Sequence, residues 1–476
     1  MPAIASDTDR LVRLDRAHVW RPFTPMRQWR ERQPVLIERG EGFDLIDTEG
    51  RRYIDGYSSL WCNVHGHRAP EIDAAIRAQL DRIAHATMLG AGTVPAIELA
   101  GKLVARCNHV EPDAPSPRLN KVFYTDSGAT ATEVALKMAA GFHYHRGDRR
   151  RDMFLAIEGG YHGDTMGAVS VGFLDVMHRP FEPFVFKTFR VPSPDARRVE
   201  APARTSAVWP SLDEERGALA RDAALAALDG ALAEFGDRAC ALMIEPIVQG
   251  AGGMITHPAG YLAGVVARCR SRGLLVIADE VATGFARTGA FLACDRECVR
   301  ADILCLAKGL SGGYLPLAAT LATDMIAGAF EGEPDEHKTL YHGHTYTGNP
   351  LAAAAALASL DLIERNGVVA NARRLGAVIG ARLTEALVDH PHVGDVRNRG
   401  VMTGIELVAS RDPWTPFDGA LRVGAGVCDA ALARGVMIRP LGDVVVLNPA
   451  PAMDEATLHR VLDAVIESIT SFAYPA

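Results

Sequence analysis

The chain has 476 residues, of which 48% are hydrophobic and 23% are charged, a balance that is typical of globular proteins and excludes disorder over most of the length. Its 58 acidic and 50 basic residues give a net charge of −8, which disfavours nucleic acid as a partner. Apolar stretches stay well short of the roughly 20 residues that cross a membrane, and the N-terminus lacks the apolar core of a secretory signal. We therefore expect a cytoplasmic protein with no membrane partner.

Short strand-like segments come first in the chain, at 35–38, 43–47 and 53–55. From about residue 120, short apolar segments alternate with amphipathic helical ones. The apolar segments lack polar alternation, which predicts strands buried on both faces, at 122–124, 153–157, 241–244, 274–278 and 303–306. This alternation predicts an α/β fold with a mainly parallel sheet covered by helices. Residues 191–209 are rich in proline, arginine and alanine without periodicity, and predict a surface loop.

The pattern changes at Asn349-Pro350, which is typical of a helix N-cap followed by proline at the first helical position. An alanine-rich helix is predicted to about residue 365, where Asn366-Gly367 ends it. Helices and strands then alternate in what we expect to be a smaller α+β unit that the N-terminal strands join. The predicted division is a small domain made of 1–75 and 366–476, and a large domain of 76–365.

Two turns that follow predicted strands carry groups suited to ligand binding. Residues 124–133 read YTDSGATATE, so Ser127, Gly128 and Ala129 lie where a strand passes into a helix, and free amides at a helix N-terminus bind anions such as phosphate. An ordinary turn with an N-cap is the alternative. Tyr161 lies in the turn GGYHGD, from which its ring could stack on a flat cofactor or simply pack.

An acid and a lysine follow two further apolar strands. Asp279 ends LLVIAD, and Lys308 ends ILCLAK before a glycine-rich turn. Open α/β sheets bind ligands at these strand ends, although a helix cap or a structural ion pair would also explain the acid. Burial lowers the pKa of a lysine and frees its amine to attack a carbonyl. With an acid able to hold a pyridinium nitrogen, the lysine suggests pyridoxal phosphate (PLP) as cofactor.

Together with Gly284–Gly289 (GFARTG), these segments resemble the class III PLP-dependent aminotransferases of fold type I, and the resemblance covers the chain from about Val19 to the last helix. It implies a large domain with a mainly parallel sheet and a smaller α+β domain drawn from both termini. It implies that Lys308 binds PLP covalently and that Asp279 pairs with the ring nitrogen, as catalytic residues together with Tyr161. It further implies these cofactor-binding residues: Ser127, Gly128, Ala129, Tyr161, Asp279, Val281, Lys308, and from the neighbouring subunit of a homodimer, His344 and Thr345.

The chain resembles one branch of this family in more detail. This closer resemblance rests on Ala282 in DEVATG and on the segments at 18–26, 55–67, 244–254 and 342–352. That branch transfers an amino group to 8-amino-7-oxononanoate in biotin biosynthesis. The resemblance implies that Arg439 binds the substrate carboxylate. The full set of implied substrate-binding residues is Phe23, Leu60, Trp61, Tyr161, Arg287, Lys308, Gly343 and Arg439.

The amino donor is left open between S-adenosylmethionine and lysine. Members that use adenosylmethionine typically carry tyrosine, tryptophan and tyrosine at or near the positions of Phe23, Leu60 and Val446. Because this chain lacks those rings and hydroxyls, its pocket has fewer partners for a flat adenosyl group. Several segments resemble those of family members that use lysine as the amino donor. The alternatives are a broader ω-amine:pyruvate or diamine aminotransferase, a catalytically silent PLP-binding protein, and a nicotinamide oxidoreductase, which the missing GxGxxG motif disfavours.

A metal site is not expected. Cys294 and Cys298 have no second pair at the spacing of a zinc site. Three His-x-His pairs occur, at 65/67, 143/145 and 342/344. The family resemblance accounts for two of these pairs without a metal ion, so turn and helix-surface histidines are the favoured interpretation.

Overall fold

The computed structural model describes residues 7–111, 116–199 and 209–475, and these contain fifteen α-helical segments besides short 3-10 turns. They are α1 Asp7–His18, α2 Met26–Glu31, α3 Ser58–Trp61, α4 Pro70–Leu80, α5 Val94–Cys107, α6 Gly128–His145, α7 Met166–Val171, α8 Asp175–His178, α9 Glu214–Phe235, α10 Tyr261–Ser271, α11 Asp324–Gly328, α12 Pro350–Arg365, α13 Val368–Leu387, α14 Val423–Ala433 and α15 Glu455–Thr470. Within the described ranges, none of them has the length and apolarity needed to span a membrane.

The described strands form five sheets, of which one has seven strands and two have four. They are β1 Ile37–Glu41, β2 Asp44–Asp47, β3 Arg52–Asp55, β4 Leu119–Thr125, β5 Met153–Ile157, β6 Thr188–Val191, β7 Ala239–Ile244, β8 Val248–Gln249, β9 Ile255–Thr256, β10 Leu275–Asp279, β11 Ile303–Leu306, β12 Ala318–Thr323, β13 Val393–Arg399, β14 Met402–Leu407, β15 Ser410–Arg411, β16 Trp414–Thr415, β17 Val436–Met437, β18 Arg439–Leu441 and β19 Val444–Leu447.

The seven-stranded sheet has the order β4-β12-β11-β10-β7-β5-β6, and helices cover it. All its strands run parallel except β12, which is antiparallel to both neighbours. Strands β5, β7, β10, β11 and β12 are buried at every residue, as continuous apolar segments between two helical layers should be. The predicted α/β fold is confirmed. The sequence analysis missed β12, whose AATLAT segment is too small and too polar to resemble the other strands.

Strands from the two ends of the chain share a smaller sheet. Its order is β1-β2-β3-β17, and Val436 in β17 pairs in parallel with Ile54 in β3. A second four-stranded sheet, β13-β14-β19-β18, is formed by the C-terminal part alone. The predicted C-terminal strands at 402–407 and 444–447 coincide with β14 and β19. The domain boundaries at 75 and 366 stay predictions.

The predicted surface loop at 191–209 is more ordered and more buried than expected where it is described. Residues 200–208 lie outside the described ranges. On either side of them, Asp195 and Trp209 are buried, and the Trp209 indole donates a hydrogen bond to Thr384 Oγ1 at 3.0 Å. Arg197 forms ion pairs with Asp195 and with Glu406 of β14. Both flanks of the loop are therefore attached to the C-terminal part of the chain.

Candidate active site

A cavity of about 700 Å³ opens at the carboxyl ends of β4, β5, β7, β10 and β11, the edge at which parallel sheets bind ligands. Backbone direction places the residue that follows each of these strands at the same edge. The walls of the cavity include all seven cofactor-binding residues predicted for the chain's own site, together with Trp61, which was predicted to bind substrate. The seven are Ser127, Gly128, Ala129, Tyr161, Asp279, Val281 and Lys308.

Asp279 ends β10 and is almost fully buried. Its Oδ2 receives a hydrogen bond from His162 Nδ1 at 2.7 Å, and its Oδ1 accepts one from the Val281 amide at 3.0 Å. His162 is equally buried, and its Nε2 has no partner in the described structure. A buried carboxylate is costly without such partners. The two contacts fix its orientation at the floor of the cavity.

Lys308 follows β11 with a left-handed backbone, at φ +44°. A non-glycine residue in this conformation is strained, and such residues cluster at functional sites. Burial lowers the pKa of the Lys308 amine, whereas the negative charges of Asp279 and Glu245 raise it. Among the described contacts the amine has no ion pair and no hydrogen bond, and it lies 5.0 Å from the centre of the Trp61 ring. It is therefore available to react.

The predicted phosphate site is the first turn of α6. Ser127 is its N-cap and accepts a hydrogen bond from the Thr130 amide, while the Ser127 amide donates to Thr130 Oγ1. In the described structure the amides of Gly128 and Ala129 have no acceptor, which leaves two donors facing the cavity. A Cβ on Gly128 would lie 2.6 Å from Val281 Cγ1, so only glycine lets the helix start so close to that wall.

Tyr161 and Val281 form two walls of the cavity. The Tyr161 hydroxyl donates a hydrogen bond to Asp164 Oδ2 at 2.7 Å, and its ring stacks on His178. Its amide donates to Glu245 Oε1 at 2.9 Å. These contacts fix both ends of the tyrosine, which leaves the ring in a defined position at the cavity.

This set of groups fits PLP. Two amides and a hydroxyl at a helix N-terminus suit its phosphate, and a buried carboxylate suits a protonated ring nitrogen. An amine of lowered pKa suits its aldehyde, and an aromatic and a branched apolar side chain suit the two faces of its ring. The unbonded Lys308 amine and the unbonded first-turn amides are the observations on which the fit rests.

Several predicted residues lie apart from this cavity. Phe23, Leu60, Gly343, Thr345 and Arg439 are exposed and do not line it. His344 also lies outside the lining, with its Nδ1 3.6 Å from Asp126 Oδ2 and its Nε2 3.1 Å from His342 Nε2. Arg439 has no ion pair in the described ranges, so its guanidinium is free to bind a carboxylate.

Arg287 is placed away from the cavity and is almost fully buried. Its guanidinium donates hydrogen bonds to Ser58 Oγ at 3.1 Å and to the carbonyl of Asn63 at 2.7 Å. It also donates to Asn448 and to the carbonyl of Pro449. Both terminal nitrogens of the guanidinium are thus bonded to the protein and only Nε has no partner in the described structure, a pattern that is typical of a structural residue. Val446, used in the argument about the donor, is also buried.

Two buried groups of the site were not predicted. His162 lies directly after Tyr161, and Glu245 follows β7 at the same edge of the sheet as Asp279. The motif GGYHGD and the strand ending IE-Pro were both available in the sequence. A polar residue after an apolar strand is the signal that identified Asp279, and it would have identified Glu245 as well. Among the described residues, no group of three or more potential ligands could hold a metal ion.

Comparisons with known proteins identify the family. The family model described as aminotransferase class-III matches residues 26–469. Adenosylmethionine-8-amino-7-oxononanoate aminotransferase of Nitratidesulfovibrio vulgaris is 48% identical over 98% of this chain and 82% of its own length. The protein of the same name from Geobacter sulfurreducens is 43% identical, over 97% of this chain and 98% of its own.

Solved structures of aminotransferases also superpose on the chain. The crystal structure of adenosylmethionine-8-amino-7-oxononanoate aminotransferase from Methanocaldococcus jannaschii superposes with a TM-score of 0.87 at 40% identity, covering 98% of this chain and 99% of the other. The omega transaminase from Pseudomonas jessenii in complex with PMP has a TM-score of 0.86 at 29% identity, with 97% of each chain covered.

Proposed function

The chain belongs to the class-III aminotransferases, and from this premise we propose that it uses PLP to transfer an amino group to 8-amino-7-oxononanoate, giving 7,8-diaminononanoate in biotin biosynthesis. Lys308 and Asp279, which follow adjacent parallel strands and line one cavity, are the observation that carries the PLP chemistry. The choice of acceptor is supported by relatives named adenosylmethionine-8-amino-7-oxononanoate aminotransferase, which are 41–48% identical over nearly the whole chain.

When bound, PLP supplies an electron-accepting ring that stabilises negative charge at the substrate carbon. The Lys308 amine takes the proton from the carbon that carries the amino group and returns a proton in the second half of the reaction. Asp279, fixed by His162 and the Val281 amide, holds a proton on the ring nitrogen. The amides of Gly128 and Ala129 would bind the phosphate, and the side chains of Tyr161 and Val281 would contact the ring.

Arg439 has the role of binding the carboxylate of 8-amino-7-oxononanoate. Its guanidinium is exposed and is not paired with any described acid. Arginine binds carboxylates through two parallel hydrogen bonds, which orients the substrate as well as attracting it. Arg287, also among the predicted substrate-binding residues, is not assigned this role, since both of its terminal nitrogens are bonded within the protein.

The active assembly in this proposal is a homodimer in the cytoplasm. His344 is half-buried and Thr345 is exposed, and both lie outside the cavity of their own chain, where they are free to contact the neighbouring subunit's PLP. The amino donor is either S-adenosylmethionine or lysine. Val446 is buried, whereas Phe23 and Leu60 have exposed side chains that are available to a substrate, and these two positions favour lysine.

A half-reaction tests the proposal. The PLP-loaded protein is mixed with adenosylmethionine or with lysine, without acceptor, and the visible band of bound PLP is followed. Loss of the band with one donor identifies that donor, and its return on addition of 8-amino-7-oxononanoate supports the acceptor. Return with pyruvate but not with 8-amino-7-oxononanoate would instead favour a broader ω-transaminase, a function shared by several structural relatives at 28–33% identity. A Lys308→Ala variant is the control and should show no loss.

A further inference from the structure

Two buried carboxylates, not one, line the active-site cavity close to Lys308. Asp279 has a role in the proposed mechanism, whereas Glu245 has none. Glu245 follows β7, is 4% exposed and lines the cavity. A carboxylate buried beside a reactive amine is costly unless it is held by donors and faces positive charge, so its contacts show what it does there.

Both oxygens of Glu245 are held by backbone amides. Oε1 accepts a hydrogen bond from the Tyr161 amide and Oε2 accepts one from the Gly250 amide, each at 2.9 Å. Gly250 packs directly on the Trp61 ring, because a Cβ at that position would lie 2.9 Å from Trp61 Cζ3. The Trp61 ring in turn lies next to the Lys308 amine. One carboxylate therefore connects the tyrosine wall of the cavity with the tryptophan wall.

The charges around Glu245 and Lys308 act in opposite directions. Burial and the charge of Asp279 raise the pKa of Glu245 to about 7, and His162 opposes this. At Lys308, burial lowers the pKa of the amine, and Asp279 and Glu245 raise it. The remaining groups that act on Lys308 are Cys62, which raises its pKa, and Arg287, which lowers it.

We propose that Glu245 is a positioning residue: it holds the Tyr161 backbone and the Gly250 turn, and in its ionised form it adds a second negative charge to the cavity that Lys308 lines. This inference rests on the proposed role of Lys308 and PLP, and it is independent of which substrate is aminated. Glu245 needs no contact with substrate for this role, since its two oxygens are directed at amides of the protein.

Two variants separate charge from geometry. Glu245→Gln keeps the size of the side chain and removes its charge, and Glu245→Asp keeps the charge and shortens the reach. The PLP-loaded full-length proteins are titrated with pH, and the visible spectrum reports protonation of the Lys308 nitrogen. Removing a nearby negative charge disfavours the protonated form, so we expect the Glu245→Gln midpoint to fall by about half a pH unit or more, a threefold or larger change in the protonation ratio.

Glu245→Asp should keep its midpoint close to that of the unchanged protein and show weaker PLP binding, because one of the two amides loses its acceptor. Equal midpoints in Glu245→Gln and the unchanged protein would overturn the proposal, as would an equal fall in both variants. Circular dichroism checks that the variants are folded. A protein that shows these shifts but does not act on 8-amino-7-oxononanoate would refute the proposed substrate alone, whereas a Lys308-independent visible band would overturn this inference together with the PLP assignment.

Discussion

His162 and Asp279 form a buried hydrogen bond of 2.7 Å between Nδ1 and Oδ2. The neighbouring residue, Tyr161, is held through its amide by the second buried carboxylate, Glu245. Two consecutive residues of one turn are thus each bound to a carboxylate that follows a different strand of the central sheet. This arrangement attaches the turn to the edge of the sheet, so the Tyr161 ring and the Asp279 carboxylate keep a fixed position relative to each other.

Removing the His162 side chain should weaken cofactor binding. In a His162→Phe variant, Asp279 keeps only the hydrogen bond from the Val281 amide, and a hydrogen bond to a charged group contributes about 1.5–3 kcal/mol. We expect the dissociation constant for PLP, measured by titrating the cofactor-free protein, to rise about tenfold or more. His459→Gln, on α15 and away from the cavity, is the control. Unchanged affinity in His162→Phe would show that Asp279 does not depend on this contact.

Lys308 should be the attachment point of PLP and the source of most of the rate. Reduction of the PLP-loaded protein with borohydride should add the cofactor mass to the peptide that contains Lys308. Lys308→Ala should lose this label and lose at least about 10³-fold in turnover, in the upper part of the range for acid–base catalysis. Lys137→Ala is a matched control, because Lys137 contacts His342 and lies outside the cavity lining. Labelling of any other lysine in the unchanged protein would contradict the assignment.

Mixed dimers should show whether Thr345 acts on the neighbouring site. Lys308→Ala is inactive by the argument above, and Thr345→Glu should be inactive because its charge repels the phosphate. If Thr345 serves the other subunit, a mixed dimer has one site with both changes and one with neither. Random pairing of the two variants makes about half of the dimers mixed, and each mixed dimer has one intact site of its two. Mixing should therefore restore about a quarter of all sites. No recovery on mixing would place Thr345 in the site of its own chain.

The strand ends were predictable from the sequence because the signal is local. An apolar segment followed by an acid or a lysine marks a buried strand that delivers a polar group to the sheet edge, as in LLVIAD and ILCLAK. Glu245 was equally predictable, because CALMIE is also an apolar segment followed by an acid. Strand β12 was missed for a physical reason: tertiary burial, not β-propensity, makes a strand of AATLAT.

Long-range contacts were the part that the sequence could not supply. Arg287 belongs to a motif shared with the family, and its position in that motif does not show that Ser58, Asn63 and Asn448 converge on it. Phe23 and Leu60 were assigned to the pocket by resemblance. Both are exposed and lie outside the cavity of their own chain, at positions that the local sequence pattern does not reveal.

His65 should make the folded protein sensitive to acid. Burial lowers the pKa of its imidazole from 6.5 to about 4. Since the unfolded chain takes up the proton first, the stability contribution is complete above pH 6.5 and is lost as the pH falls towards 4, by up to about 3 kcal/mol. As the pH falls from 6.5 to 4, the free energy of unfolding should therefore decrease less in His65→Gln than in the unchanged protein. Urea titrations at several pH values measure this difference. His109→Gln, at an exposed position, should keep the original slope, and equal slopes in all three proteins would contradict the prediction.

Arg287 should contribute to stability rather than to substrate affinity. Burial lowers the pKa of its guanidinium to about 10. Its two terminal nitrogens donate to Ser58, Asn63, Asn448 and Pro449, which offsets part of the desolvation, while Nε has no partner in the described structure. Arg287→Met leaves those acceptors unpaired, so we expect the free energy of unfolding in urea to fall by about 3 kcal/mol or more.

The matched control for Arg287 is Arg365→Met, which breaks an exposed ion pair with Glu71 and should cost at most about 1 kcal/mol. The acceptors of Arg287 include Ser58, which begins the left-handed turn Ser58–Trp61. Any loss of activity in Arg287→Met should therefore follow from displacement of Trp61 and affect both substrates alike. Full stability combined with a raised KM for the carboxylate-bearing acceptor alone would restore Arg287 as a substrate-binding residue.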